Sequence, residues 1–140
     1  MAKFGSASVS INYDDSAGTP RDVSQYIDTI NGVKITAKQD TTTAFGDAWG
    51  EKTPTGMSEV ADVVVEGFYD DTATSGPHVV FRVVDTSPSA TSRTLAIAHG
   101  GTNGTFTIET RCAEYEIQPK VGNLHRFKAR LETTGSGAWS

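Results

Sequence analysis

A chain of 140 residues fits one domain and is long enough to bury a core without disulfide or metal staples. Its 12 basic and 17 acidic residues give a formal net charge of −5, which excludes a sequence-independent nucleic-acid binder with a basic footprint. The single cysteine, Cys112, excludes an intrachain disulfide and any CxxC metal or redox site.

The hydrophobic fraction of 36% is low for a closed globule, while Thr, Ser and Gly are abundant. That mixture suits an all-β protein with much surface, or one that completes its burial against neighbours. The start, "MAKFGSASVSINYDD", has no apolar signal-type stretch, and no run approaches the roughly 18–20 residues of a membrane span. The expectation is a chain made in a reducing cytosol, with one domain over 1–140 and flexible tails at 1–6 and 133–140.

Period-two alternation dominates from the N-terminus onward. In "ASVSINY", Ala7, Val9, Ile11 and Tyr13 share a face; "DDSAGTPRD" is a turn cluster, and "DVSQYI" is a short, partly buried corner. "GVKITAK" alternates Val33, Ile35 and Ala37 against Lys34, Thr36 and Lys38. In "EVADVVVEGFYDD", Ala61, Val63, Val65 and Tyr69 form one face, and the other mixes Val60, Val64 and Phe68 with Asp62 and Glu66.

The segment 75–84 fits two structures. Its β-branched residues favour a strand, whereas Ser75 before Gly76-Pro77 resembles an N-cap, with Val80, Val83 and Val84 as a helical stripe. "RTLAIAH" predicts a strand, "GGTNG" a hairpin turn and "TFTIETRCAEYEI" a long strand. The last changes phase between Cys112 and Ala113, which predicts a bulge there. "QPKVGN" turns, and "LHRFKARLE" sets His125, Phe127, Ala129 and Leu131 against Arg126, Lys128 and Arg130. Short strands with regular turn signals argue for a β-sandwich or partial barrel.

No enzyme signature accompanies these elements. "HGGTNG" lacks a GxSxG partner, so its glycines serve a turn. His78, His99 and His125 lie in separate elements without metal-ligand spacing, and Asp14-Asp15 and Asp70-Asp71 fit turns better than a calcium loop. The expectation is no catalytic residue, no metal and no cofactor. One segment stands apart: "TTTAFGDAWGEKTPTGMSE", residues 41–59, is rich in breakers yet carries Phe45, Trp49 and Met57. Either these side chains fold back onto their own domain, or they pack on another subunit.

The run from Arg21 to Asp71 resembles the tail tube (major tail) proteins of long-tailed bacteriophages. The likeness rests on Asp22, Ser24, Tyr26 and Ile27 in "DVSQYI"; on Asp40, Thr42, Thr43, Phe45, Gly46 and Asp47 in "DTTTAFGD"; and on Gly56, Val63, Val65, Gly67, Phe68 and Tyr69 leading into "GFYDD". It covers about the middle third of the chain.

The resemblance implies a mainly β fold with one short flanking helix, which favours helix for 75–84, and a ring-shaped inner β-barrel completed on oligomerisation. It also implies hexameric rings stacked into a tube that conducts viral DNA into the host without sequence-specific binding. The expected setting is the virion tail, assembled in the host bacterial cytoplasm with no membrane contact. Tape measure, tail terminator and distal tail proteins are the expected partners. The 38–58 loop would reach a neighbouring copy through Phe45, Asp47, Trp49 and Met57. Asp62 and Glu66 are candidate lumen residues, with Lys34 and Lys38 facing them; the plain alternative is that all four decorate an outer surface. The competing function is a β-sandwich module that binds carbohydrate or protein.

Overall fold

A computed structural model describes residue 5 and residues 9–46, 48–87 and 90–140. Nine strands appear among them: β1 (Ser10–Asp14), β2 (Pro20–Asp22), β3 (Ile27–Ile30), β4 (Ile35–Thr41), β5 (Lys52–Val60), β6 (Val63–Phe68), β7 (Arg93–Ala98), β8 (Thr105–Gln118) and β9 (Arg126–Trp139). A 3-10 turn covers Ser24–Tyr26, and one helix, α1, covers Pro77–Phe81. Seven strands form an antiparallel sheet in the order β2-β1-β7-β8-β9-β6-β3, curled into a half-barrel; β4 and β5 form a separate two-stranded ribbon. The mainly β partial barrel with one short helix matches the sequence-based expectation.

The alternating residues supply the concave face. Ile11, Tyr13, Val63, Val65, Leu95, Ile97, Phe106, Ile108, Phe127, Ala129 and Leu131 are all buried there. The predicted bulge is present: the β8–β9 register shifts between Cys112 and Glu114, which brings Tyr115 onto the core side beyond Cys112. The helix closes the open side of the curl. Its N-cap is Gly76 rather than Ser75, and only glycine fits there, since a Cβ at 76 would meet the Thr72 carbonyl oxygen at 2.7 Å. Val80 and Phe81 point inward, and Phe81 stacks between Tyr13 and Phe127 at ring-centroid distances of 5.2 and 5.6 Å. The helix ends there, so Val83 is exposed and the expected valine stripe stops short.

Arg93, at the start of β7, holds this plug in place. It is 3% exposed, and its guanidinium donates to the Val80 carbonyl at 3.0 Å, to the Val83 carbonyl and to the Asp85 carboxylate at 3.1 Å. The second Asp85 oxygen accepts the Cys112 N–H at 2.8 Å, at the bulge. Helix end, connecting loop, β7 and β8 are therefore tied through one buried ion pair.

Two segments differ from expectation. Residues 133–139 are not a loose tail but the second half of β9, paired with β8 from Thr110↔Thr133 to Phe106↔Trp139. Their glycines look flexible in sequence but are required by the fold: a Cβ at Gly137 would lie 2.1 Å from the Phe106 ring, and Gly135 has a φ of +71°. Residues 38–58 are not an irregular loop but most of the β4–β5 ribbon. Gly56, with φ of +86°, sits in a register shift that sets Ala37↔Ser58 and then Gln39↔Pro54. That bulge breaks the alternation on which a strand is recognised.

The ribbon prolongs the β3–β6 hairpin across an elbow. There Asn31 takes over from the ladder: its side chain donates to the Asp62 carbonyl and accepts the Val64 N–H, both at 2.9 Å. Two checks follow from the packing. Asp85→Ala, which leaves the Arg93 charge buried without its counter-ion, is expected to cost about 3–5 kcal/mol in chemical denaturation. Gly67→Ala, which drives a Cβ to 1.9 Å from the Tyr26 carbonyl oxygen, is expected to lower the melting temperature by more than an alanine substitution at the open Gly18 turn.

Candidate assembly interface

The ribbon is an arm. Every residue of β4 is exposed, as is all of β5 except the half-buried Val60. Its tip, residues 42–51, is held by Thr43: Thr43 Oγ1 accepts the Glu51 N–H at 2.6 Å, and the Thr42 N–H donates to the Glu51 carbonyl at 3.0 Å. Along its length Lys38 pairs with Glu59 at 3.1 Å. These contacts shape a hairpin but bury nothing.

The arm's apolar side chains stand in solvent. Phe45 is fully exposed, Trp49 is 84% exposed and Met57 68%, and Ile35 at the root is 49% exposed. Of the two possibilities for these residues, folding back onto their own domain is absent from the structure. Asp47 lies outside the described residues. An isolated two-stranded hairpin is marginal in water, so such a ribbon calls for a covering layer. The sheet adds two more unpaired edges, at β2 and β3.

A second set of charged residues lies on the convex face of β6, β9 and β8. Arg130 reaches Asp62, Glu114 and Glu132 at 3.0, 3.3 and 3.5 Å. Lys128 lies between Glu66 on β6 and Glu116 on β8, and Arg126 binds Asp28 at 2.8 Å. Hydrogen bonding to Arg126 holds the Asp28 carboxyl below its usual range and raises the Arg126 pKa in turn. The cations opposite Asp62 and Glu66 thus come from β9, not from Lys34 and Lys38 as expected. Lys34 is exposed at the elbow, and Lys38 is engaged along the arm.

Among the described residues, no group of three His, Cys, Asp or Glu side chains converges on a metal-binding point, and no helix is long and apolar enough to cross a membrane. His78 and His125 do come together around Tyr69, at ring-centroid distances of 5.2 and 6.1 Å, and His78 Nδ1 is 3.0 Å from the Tyr115 hydroxyl. Burial pushes the Tyr115 hydroxyl up to about 12 and the Cys112 thiol up to about 11, so both stay protonated at neutral pH. Asp15 and Asp70 accept backbone N–H groups two residues ahead, at 2.9 and 2.7 Å, as turn residues do. Gly100 and Gly101 carry φ of +107° and +76° in the β7–β8 turn.

No family model and no curated protein sequence matches the chain. Solved structures do. A chain in the tail of an empty gene transfer agent (GTA) particle, refined with C6 symmetry, aligns over 99% of both chains with a TM-score of 0.73 and 10% identity. A chain of the native GTA virion aligns over 99% of both at 0.70 and 10%. One from the sixfold-symmetrised baseplate of the anti-feeding prophage aligns over 100% of this chain and 97% of its own, at 0.67 and 11%. The fold is that of these particle subunits. It extends over the whole chain, the arm and the β9 extension included.

One group with the same character as the arm escapes the sequence reading. Around the β8–β9 turn, Val121 is fully exposed, Leu124 is 74% exposed, and Phe68 and Ile117 are partly uncovered. The available signal was the same as for Phe45, large apolar residues within a glycine-containing turn. Because Trp49 touches no core, Trp49→Ala is expected to change the unfolding free energy of the monomer by no more than about 0.5 kcal/mol. A denaturant titration of the dilute protein checks this; a larger loss would assign Trp49 to the core.

Proposed function

We propose that this chain is a self-assembling structural subunit of a phage-type tail. Six copies close a ring, rings stack into a hollow tube, and the tube conducts viral DNA into the host. The observation that carries this reading is the arm, a ribbon with Phe45, Trp49 and Met57 in solvent on a body that is otherwise well packed. Aromatic and methionine side chains are enriched at subunit interfaces, and open strand edges are removed when a sheet continues into the next copy. A head-to-tail contact repeated by a rotation that divides the circle closes a ring, and further copies stack on it. The full-length match to a tail refined with sixfold symmetry supports the same copy number.

The convex face of β6, β9 and β8 suits the channel wall. With the adjoining Asp28 of β3 it carries seven carboxylates (Asp28, Asp62, Glu66, Glu109, Glu114, Glu116 and Glu132) against four cations (Arg111, Arg126, Lys128 and Arg130). A wall of net negative sign repels phosphate, so a duplex slides along it without sticking. Asp62 and Glu66 belong to this wall; Lys34 and Lys38 stand outside it at the elbow and on the arm. The role is non-catalytic and needs no cofactor. Its setting is the virion tail, built in the host cytoplasm, with tape measure, terminator and distal tail proteins at the ends of the tube.

Negative-stain microscopy of the concentrated protein tests the reading. Rings or tubes roughly 100 Å across are expected, from six domains of about 14 Å radius of gyration around a channel. A chain that stays monomeric at high concentration and binds glycan tightly would instead be the carbohydrate-binding module.

A further inference from the structure

The chain directions put the two exposed apolar groups at opposite ends of the subunit. β9 starts at the β8–β9 turn, where Arg126 pairs with Phe68, and runs past Leu131↔Val63 to Trp139. The arm leaves from the Val63 end of β6, and its root lies beside the far half of β9, where Thr133 Oγ1 donates to the Val60 carbonyl at 2.7 Å. Arm and turn therefore point away from each other. Of the ten large apolar side chains exposed among the described residues, four are on the arm and four are at the turn end.

The turn end is concave. Phe68, Gly122, Asn123, Leu124 and Arg126 line a hollow of about 390 Å³. The Arg126 guanidinium lies 5.1 Å from the centre of the Phe68 ring and is anchored by Asp28. An apolar floor with a fixed guanidinium at its rim suits an aromatic ring, since a guanidinium is attracted to the ring face. Charge also matches: with Arg126 paired to Asp28, Lys120 leaves the turn end positive, whereas residues 35–60 carry Asp40, Asp47, Glu51 and Glu59 against Lys38 and Lys52.

We infer that the β8–β9 turn is the receptor for the arm of a second copy, and that an arm aromatic fills the Phe68–Leu124 hollow. The inference rests on the proposed assembly and adds the docking partner that makes the stack directional. Opposite faces of one subunit are used, so each docked arm leaves a new free arm at the growing end.

Two measurements on the full chain test it. Leu124→Asp is expected to raise the protein concentration needed for tube growth by at least about tenfold, the effect of losing a central interface anchor, with an unchanged melting temperature. Trp49→Cys and Val121→Cys chains, mixed and treated with a bismaleimide after assembly, are expected to give a cross-linked dimer that neither chain gives alone. The native Cys112 is buried and stays out of the reaction. Wild-type tubes together with unimpaired growth of Leu124→Asp, or tubes without the mixed cross-link, overturn the docking and leave the assembly standing. A wild-type chain that never associates overturns both.

Discussion

A guanidinium inside a β-barrel is the constraint on which the body depends. Desolvating Arg93 and Asp85 is costly, and an ion pair of this kind is tolerated only when the surrounding groups complete its hydrogen bonds. Here two helix-end carbonyls and one backbone N–H at the β8 bulge do so. The same atoms cap the short helix, fix the loop after it and pin the bulge. Five helical residues have little stability of their own, so the clasp and the burial of Phe81 between Tyr13 and Phe127 hold the helix together.

The result is a molecule divided into a satisfied part and an unsatisfied one. In the half-barrel, backbone groups pair across seven strands and the apolar side chains meet one another. In the ribbon, beyond Val60 at its root, the strands pair only with each other and the side chains meet water. The residues that stabilise the body are thus different from those that stand uncovered on the arm. The body can fold without the outer arm, because only Val60 at the arm's root packs against the core.

Much of the body was legible in the sequence because its strands alternate cleanly. Val63 and Val65, Leu95 and Ile97, and Phe127 with Leu131 announce their faces, and the phase change near Cys112 announced the bulge. The arm was legible as a place of interest but not as a ribbon. Pro54 and Gly56 read as breakers, and a bulge resets the period just where β5 pairs with β4. The end of β9 failed for a related reason, since Gly135 and Gly137 resemble a linker until the Phe106 ring is seen above Gly137. Arg93 could not be read at all. A charged residue at a strand start looks like surface, and only the three-dimensional return of α1 over the sheet buries it.

The elbow at Asn31 carries its own consequence. The Asn31 carboxamide, two flanking backbone bonds and the Thr133 hydroxyl on Val60, rather than a continuous ladder, set the pitch of the ribbon against the sheet. Two short spans of chain, 31–34 and 61–62, are all that join limb to trunk there. A change confined to that joint re-aims the limb while each strand of the trunk keeps its partners.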